Sequence, residues 1–221
     1  MVPSLRARVI RPELLDDAPE SEAAPNLGDL VRINRRLGGH AVLLKMLARV
    51  ARPSEEFTML DVGAATGDNG AIASHAYPGA RVVSLDRSFF HLSRGVGRRV
   101  CGDGFQLPFG DRSMDFVFSA LFLHHFPNAA VVALLREFAR VARRAVLVND
   151  LERHILPWLF LPATRWLFGW QRITLHDGPV SVAAAFRKGE LPDLARDAGL
   201  RGVREQLHRP AFRISLIARV P

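Results

Sequence analysis

The stretch Leu60–Asp68, LDVGAATGD, joins an apolar run that reads as a buried strand, FTMLDVG (57–63), to a segment that reads as a helix, GDNGAIASHAY (67–77). Gly63 and Gly67 permit a tight turn and a close approach of backbone to a ligand. The helix that starts just beyond the turn offers free N–H groups to an anionic part of that ligand. The spacing is Gly-x-x-x-Gly preceded by Asp61, not the Gly-x-Gly-x-x-Gly of dinucleotide-binding loops. A dinucleotide brings a pyrophosphate, which a neighbouring carboxylate would repel. Asp61 beside the loop suits a ligand that carries positive charge.

Downstream, short apolar runs alternate with helical ones. RVVSLD (81–86), RRVCGD (98–103), MDFVFSA (114–120) and RRAVLVND (143–150) read as strands. NAAVVALLREFARVA is a helix with Val131, Leu134, Leu135, Phe138 and Val141 on one face. GELPDLARDAGL reads as a further helix, and VREQLHR and FRISLIARV as closing strands. The alternation predicts an α/β fold with a mostly parallel, doubly wound sheet. Asp61, Asp86 and Asp103 end the first three strands, so all three fall on the carboxyl-end rim where open α/β sheets bind ligands. A single aspartate at such a place is commonly a turn or capping residue. Three at successive strand ends favour a site, with Asp86, about twenty residues beyond the loop, placed to accept from ribose hydroxyls.

Upstream, residues 1–25 are rich in Pro, Glu, Asp and Ala without a sustained period, and are expected to form a loosely ordered arm. Residues 26–52 are expected to hold two helices, one carrying Leu27, Leu30, Ile33 and Leu37 and ended by Gly38 and Gly39, the other running from about Ala41 to Ala51 before Pro53. The whole of 26–221 is expected to be one domain.

These residues resemble the class I S-adenosylmethionine-dependent methyltransferases over about Asn34 to Ala218. LDVGAATGD looks like that family's first motif, with Ala65 where many members have a glycine, and SLD looks like the second, with Asp86 as ribose ligand. GDGFQLPFGDRSMDFVFSALFLHHF resembles the stretch from the adenine-contacting acid, here Asp103, through the fourth strand. INRRLGGHAVLLK is similar to the segment before the first strand of ubiquinone- and menaquinone-type methyltransferases. NDLERHILPWLF and RITLHDGPVSVAAAFRKGEL look like small-molecule methyltransferases of bacterial natural-product pathways, including those acting on phenolic or resorcinolic lipids. The resemblance implies a Rossmann-like, seven-stranded, mostly parallel sheet with an antiparallel last strand. It implies S-adenosylmethionine as cofactor, held by Asp61, Gly63, Ala64, Ala65, Gly67, Asp86, Arg87, Asp103, Gly104 and Ser119, with His40 capping it from the helix pair, and no metal.

Methyl transfer from a sulfonium is an in-line displacement in which the protein mainly positions the acceptor and excludes water. A phenol or enol acceptor must also lose a proton, most simply to a histidine that titrates near neutrality. His124 and His125 follow the fourth strand, near where the methyl group should emerge, and His176 lies in the 151–186 insertion that is expected to build a lid and acceptor pocket. These three are the candidate catalytic residues; each could instead cap a helix or line a surface. Asn149 and Asp150, ending the fifth strand, could contact acceptor or cofactor or cap the next helix. ILPWLFLPATRWLFGW holds all three tryptophans, and reads as a lid over an apolar pocket ahead of a membrane-surface contact, because it lacks the several basic residues an interfacial helix wants.

A net charge of +8 invites a nucleic-acid partner, but the positive residues are scattered arginines with only Lys45 and Lys188 besides, so no basic arm is formed. SALFLHHF also lacks the Asn/Asp-Pro-Pro-aromatic motif expected of an RNA methyltransferase. One cysteine, Cys101, and an N-terminus without the apolar core of a secretory signal predict a cytoplasmic protein. The expected activity is therefore methylation of a small apolar aromatic or polyketide-derived acceptor of secondary metabolism, O-methylation ahead of C-methylation. An RNA methyltransferase and a non-catalytic cofactor-binding regulator are the alternatives.

Overall fold

In the computed structural model, which describes residues 5–221, the alternating pattern becomes one seven-stranded sheet. The strands are β1 (Phe57–Val62), β2 (Ala80–Asp86), β3 (Arg98–Cys101), β4 (Met114–Ala120), β5 (Ala142–Leu151), β6 (Arg201–His208) and β7 (Arg213–Arg219). Their order is β3-β2-β1-β4-β5-β7-β6, with β1 to β5 parallel and β7 antiparallel to both of its neighbours. Chain order reverses between β1 and β4, which opens a crevice at their carboxyl ends.

The two-residue period of the strands is what sorts the core. Leu60, Val62 and Val117 point to one face and meet α5 (Asn128–Val141) and α8 (Glu190–Asp197). Met59, Phe116 and Phe118 point to the other and meet α2 (Gly39–Leu47) and α3 (Asp68–Ala76). Both faces are covered, so the central strands read as continuous apolar runs. α4 (Phe89–Ser93) is short, as the brief spacing between Asp86 and Arg98 predicts, and the Ser88 hydroxyl caps it by accepting from the His91 N–H.

The N-terminal segment departs from the sequence expectation. α1 (Glu20–Arg36) starts well before Leu27, and the residues ahead of it lie against the body instead of forming a loose arm; residues 1–4 fall outside the described residues. No apolar period marks this segment because hydrogen bonds hold it. Arg8 donates to the carbonyls of Ala184, His124 and Phe126, and its guanidinium stacks on Phe186. The N–H groups of Leu14 and Leu15 donate to the two carboxylate oxygens of Asp177 at 2.9 and 3.0 Å. Gly38, in the left-handed region at φ +83°, turns the chain from α1 directly into α2, which begins at Gly39.

The insertion after β5 forms α6 (Ile155–Phe168), ended by Gly169 at φ +59°, and α7 (Arg172–Ala184). α1 docks on this pair through buried Asp29, which accepts from the Gln171 N–H and the Thr174 hydroxyl. α1, the N-terminal segment, α6 and α7 thus enclose the space above the rim.

Phe138 is fully buried where α5 meets the sheet. Phe138→Ala should lower unfolding free energy by about 3–5 kcal/mol, read from urea titration, because the sheet cannot collapse into the void.

Candidate functional site

Above the carboxyl ends of β1, β2 and β4 lies a cavity of about 1060 Å³. The loop after β1 forms its floor. Gly63 takes φ +71°, where an added Cβ would strike the Phe122 ring, and Gly67 takes φ +71° at the start of α3. Between them Ala65 holds φ +47°, a conformation that costs a residue with a Cβ on the order of 1–2 kcal/mol. The Asp86 carboxylate steadies that strained turn by accepting from the Ala65 N–H at 2.8 Å and from the Ser88 N–H at 2.9 Å.

Of the residues that the sequence assigns to the cofactor, Gly63, Ala64, Ala65, Asp86, Arg87, Asp103 and Gly104 line this cavity. Four do not. Asp61 is fully buried, shares its face of β1 with Met59, and finds no hydrogen-bond partner for either carboxyl oxygen among the described residues. Burial, then the nearby charges of Asp68 and Asp86, raise its pKa well above the usual carboxylate range. Gly67 shapes the turn without facing the cavity, because an added Cβ there would meet Ser84. Ser119 is buried within β4. His40 supports a neighbour from the side instead of capping the cavity: its Nε2 donates to Asp68 at 2.7 Å.

Two residues that no sequence pattern marks carry opposite charges into this space. Asp68 lines the cavity and accepts from both His40 and the Asn34 amide. Arg213 on β7 also lines it, is buried, and donates from one terminal nitrogen to Asn34 at 3.2 Å while the other has no partner among the described residues. Burial lowers the Arg213 pKa to about 10 against the pull of Asp150 and Asp68, so the guanidinium stays charged at neutral pH. A buried cationic donor left unpaired beside a carboxylate fits the zwitterionic amino-acid end of adenosylmethionine. Asp86 fits its ribose and Asp103 its base. The donor set therefore suits this cofactor, with Asp68 and Arg213 joining the residues that would hold it.

Residues 60–148 match the sequence profile of a family described as a methyltransferase domain. Over this central segment the chain carries a methyltransferase domain. S-adenosylmethionine as methyl donor fits both that match and the charged groups of the cavity. No curated protein matches the sequence. Solved structures resemble its fold at low identity. A SAM-dependent methyltransferase from Aquifex aeolicus is 18% identical with a TM-score of 0.60, over 81% of this chain and 89% of that one. The methyltransferase bound to the Trm112 activator of Haloferax volcanii is 17% identical with a TM-score of 0.66, over 96% of this chain and 100% of that one. The magnesium protoporphyrin IX methyltransferase of Synechocystis, solved with bound SAM, is 16% identical with a TM-score of 0.56, over 86% of this chain and 84% of that one.

The candidate catalytic histidines separate. His124 and His125 sit on a 3-10 turn (Leu123–His125) after β4 and both line the methyltransferase cavity. His176 does not; on α7 its side chain is 49% exposed and bonded to Asp177. His124 is buried, with Nδ1 2.7 Å from the Asp150 carboxylate and Nε2 3.6 Å from Glu13. Burial alone would lower its pKa, but Asp150 and Glu13 outweigh that and push it up to about 9. His125 stacks on His124 with ring centroids 4.3 Å apart. Burial lowers the His125 pKa and the adjacent His124 charge lowers it further, so it is neutral at pH 7. Glu13 comes from the segment expected to be loose, and nothing in its composition marks it. It also accepts from the Ser181 hydroxyl.

Asp86→Ala removes a loop support and the carboxylate placed to meet a ribose, and calorimetry should find adenosylmethionine binding weakened by about 10- to 100-fold. The raised pKa of His124 contributes stability that is fully present below about 6.5 and is lost as pH climbs through about 9. Melting temperature should accordingly fall across that window, and fall less in His124→Gln.

Proposed function

We propose that this methyltransferase acts on a small, apolar aromatic acceptor such as a phenolic or polyketide-derived lipid, and methylates it on oxygen. The observation that carries this reading is the composition of the cavity beyond the cofactor loop. Leu27, Leu30 and Ile33 of α1, Phe160 and Leu161 of α6, and Phe212 line it, while His125 is the neutral titratable group on the same wall. Apolar pockets with one or two placed polar groups suit aromatic ligands.

When bound, the cofactor supplies a methyl group on a positively charged sulfur, which needs no activation by the protein. The chain's own task is to orient the acceptor, exclude water and receive the phenolic proton. His125 Nε2 or Nδ1 takes that proton. His124 does not, because Asp150 and Glu13 keep it protonated; it holds His125 neutral and in place. C-methylation of a quinol-type ring would use the same wall, with the same proton removed to raise electron density in the ring.

Turnover on a panel of alkylphenols, resorcinols and quinols tests the reading; no transfer to any of them would end it. His125→Ala should lower kcat by about 100-fold or more while leaving adenosylmethionine affinity within a factor of about two. In the parent enzyme kcat should rise with pH through an apparent pKa below that of an ordinary histidine and then level, since only the neutral ring accepts a proton. Unaltered kinetics in His125→Ala would remove that residue from the reaction.

A further inference from the structure

α6 is apolar on both sides, and only one side is buried. Pro157, Phe160 and Leu161 turn inward to the cavity. Ile155, Leu159, Pro162 and Trp166 recur at helical spacing on the outside, with Leu156, Ala163 and Leu167 flanking them. Trp166 is 86% exposed and Leu167 77% exposed. Single exposed apolar residues are ordinary, but a contiguous face of this kind marks a contact. Among the described residues no helix is long and apolar enough to cross a membrane.

The charges around this face indicate what covers it. No acidic residue occurs from 155 to 176. Arg165 lies over the Trp166 ring, and exposed Arg172 opens α7 beyond the C-terminal end of the helix. At the other end Ile155 borders a shallow hollow that it shares with Arg187, Lys188 and Arg209. Arg209 is paired with Glu152, whereas the side chains of Arg187 and Lys188 form no ion pair among the described residues. The sequence of α6 alone lacks the basic residues that an interfacial helix wants; the fold supplies them from the α7–α8 connection. An apolar ridge between unpaired cations is complementary to an anionic lipid surface.

We propose that α6 lies in the surface of an anionic bilayer, with Trp166 and Leu167 among the acyl chains and Arg187 and Lys188 at the phosphates, so that the acceptor enters the cavity from the lipid. Leu156 belongs both to the exposed face and to the cavity wall, which places the cavity mouth beside the lipid contact. This rests on the apolar-acceptor reading above for its purpose, and on α6 with Arg187 and Lys188 for the contact.

The test is flotation of the full chain with vesicles of phosphatidylcholine and phosphatidylglycerol in equal parts, against phosphatidylcholine alone. The chain should float with the mixed vesicles, with a blue shift of tryptophan emission, and be released by salt. Trp166→Ser with Leu167→Ser, and separately Arg187→Glu with Lys188→Glu, should each reduce partitioning at least about tenfold. These residues lie outside the cavity lining, so transfer to a water-soluble short phenol should be unchanged, while transfer to a long-chain phenol embedded in vesicles should fall. Binding to neither vesicle type overturns the proposal, as does equal partitioning of parent and variants. So does a dimer in solution that the Trp166 and Leu167 changes dissociate, which would assign the face to a second copy. Vesicle binding without turnover on any phenol would leave the contact standing and defeat the acceptor reading instead.

Discussion

Glu13, His124 and Asp150 form a line of alternating charge in which the middle member is buried, and three separate parts of the chain meet there. Asp150 ends β5, His124 sits on the turn after β4, and Glu13 belongs to the N-terminal segment. A histidine so deeply buried would ordinarily be neutral, because desolvation opposes its charge. Two carboxylates reverse this, and each is in turn held below the usual carboxylate range by the histidine they share. Removing one member would leave an unbalanced charge in a dry place, so the segment that carries Glu13 is held where it closes the cavity. The same charge fixes the state of His125. Neighbours in sequence and stacked in space, the two rings cannot both be protonated cheaply, and the one bonded to Asp150 takes the proton, although Glu13 also lies 3.9 Å from His125. The pair thereby divides into a fixed cation and a free base.

The cavity has two chemical halves. Near the loop the polar groups are charged and partly unpaired, with Arg213 and Asp68 each bonded to Asn34. Towards α1 and α6 aliphatic and aromatic side chains, Leu27, Leu30, Ile33, Phe160 and Leu161, join Asn26 and Glu20 in the lining. The two histidines line the same cavity. The strain at Ala65 belongs to the same design, since the left-handed turn directs its N–H at Asp86 and fixes the carboxylate that the ribose would meet.

The rim was legible because strand ends are. Asp86 and Asp103 follow apolar runs and precede glycines or turns, so their positions follow from where the strands stop. Asp61 ends an apolar run as well, yet the alternation Met59, Asp61 already places it on the helix-covered face, and that period outweighs proximity to the loop. Asp68 was the better choice on charge, but at a helix start it looks like a cap. Arg213 opens the last strand and gives no local sign that topology will bring it beside α1. His176 was misplaced for a related reason: Ile173, Asp177 and Val182 define the buried side of α7, and His176 falls off it. The N-terminal segment was unreadable because its order comes from donors and acceptors that are distant in sequence, Arg8 and Asp177 above all, and no periodicity records such bonds.

α6 raises the question of why one helix should be apolar all round in a chain with no spanning helix among its described residues. A lid needs only its inner side to be apolar, and solvent would favour charge on the outer side. The outer side of α5 meets that expectation, with Arg136 and Arg140 exposed or half-buried beyond its apolar stripe. α6 places Trp166 and Leu167 there instead, and this costs solubility unless something covers them. Because Leu156 belongs to both surfaces, whatever covers the outer face also meets the mouth of the cavity. On the proposed apolar-acceptor reading, the outer and inner sides of α6 are two parts of one path, along which the acceptor need never be fully exposed to water before it reaches the histidine pair.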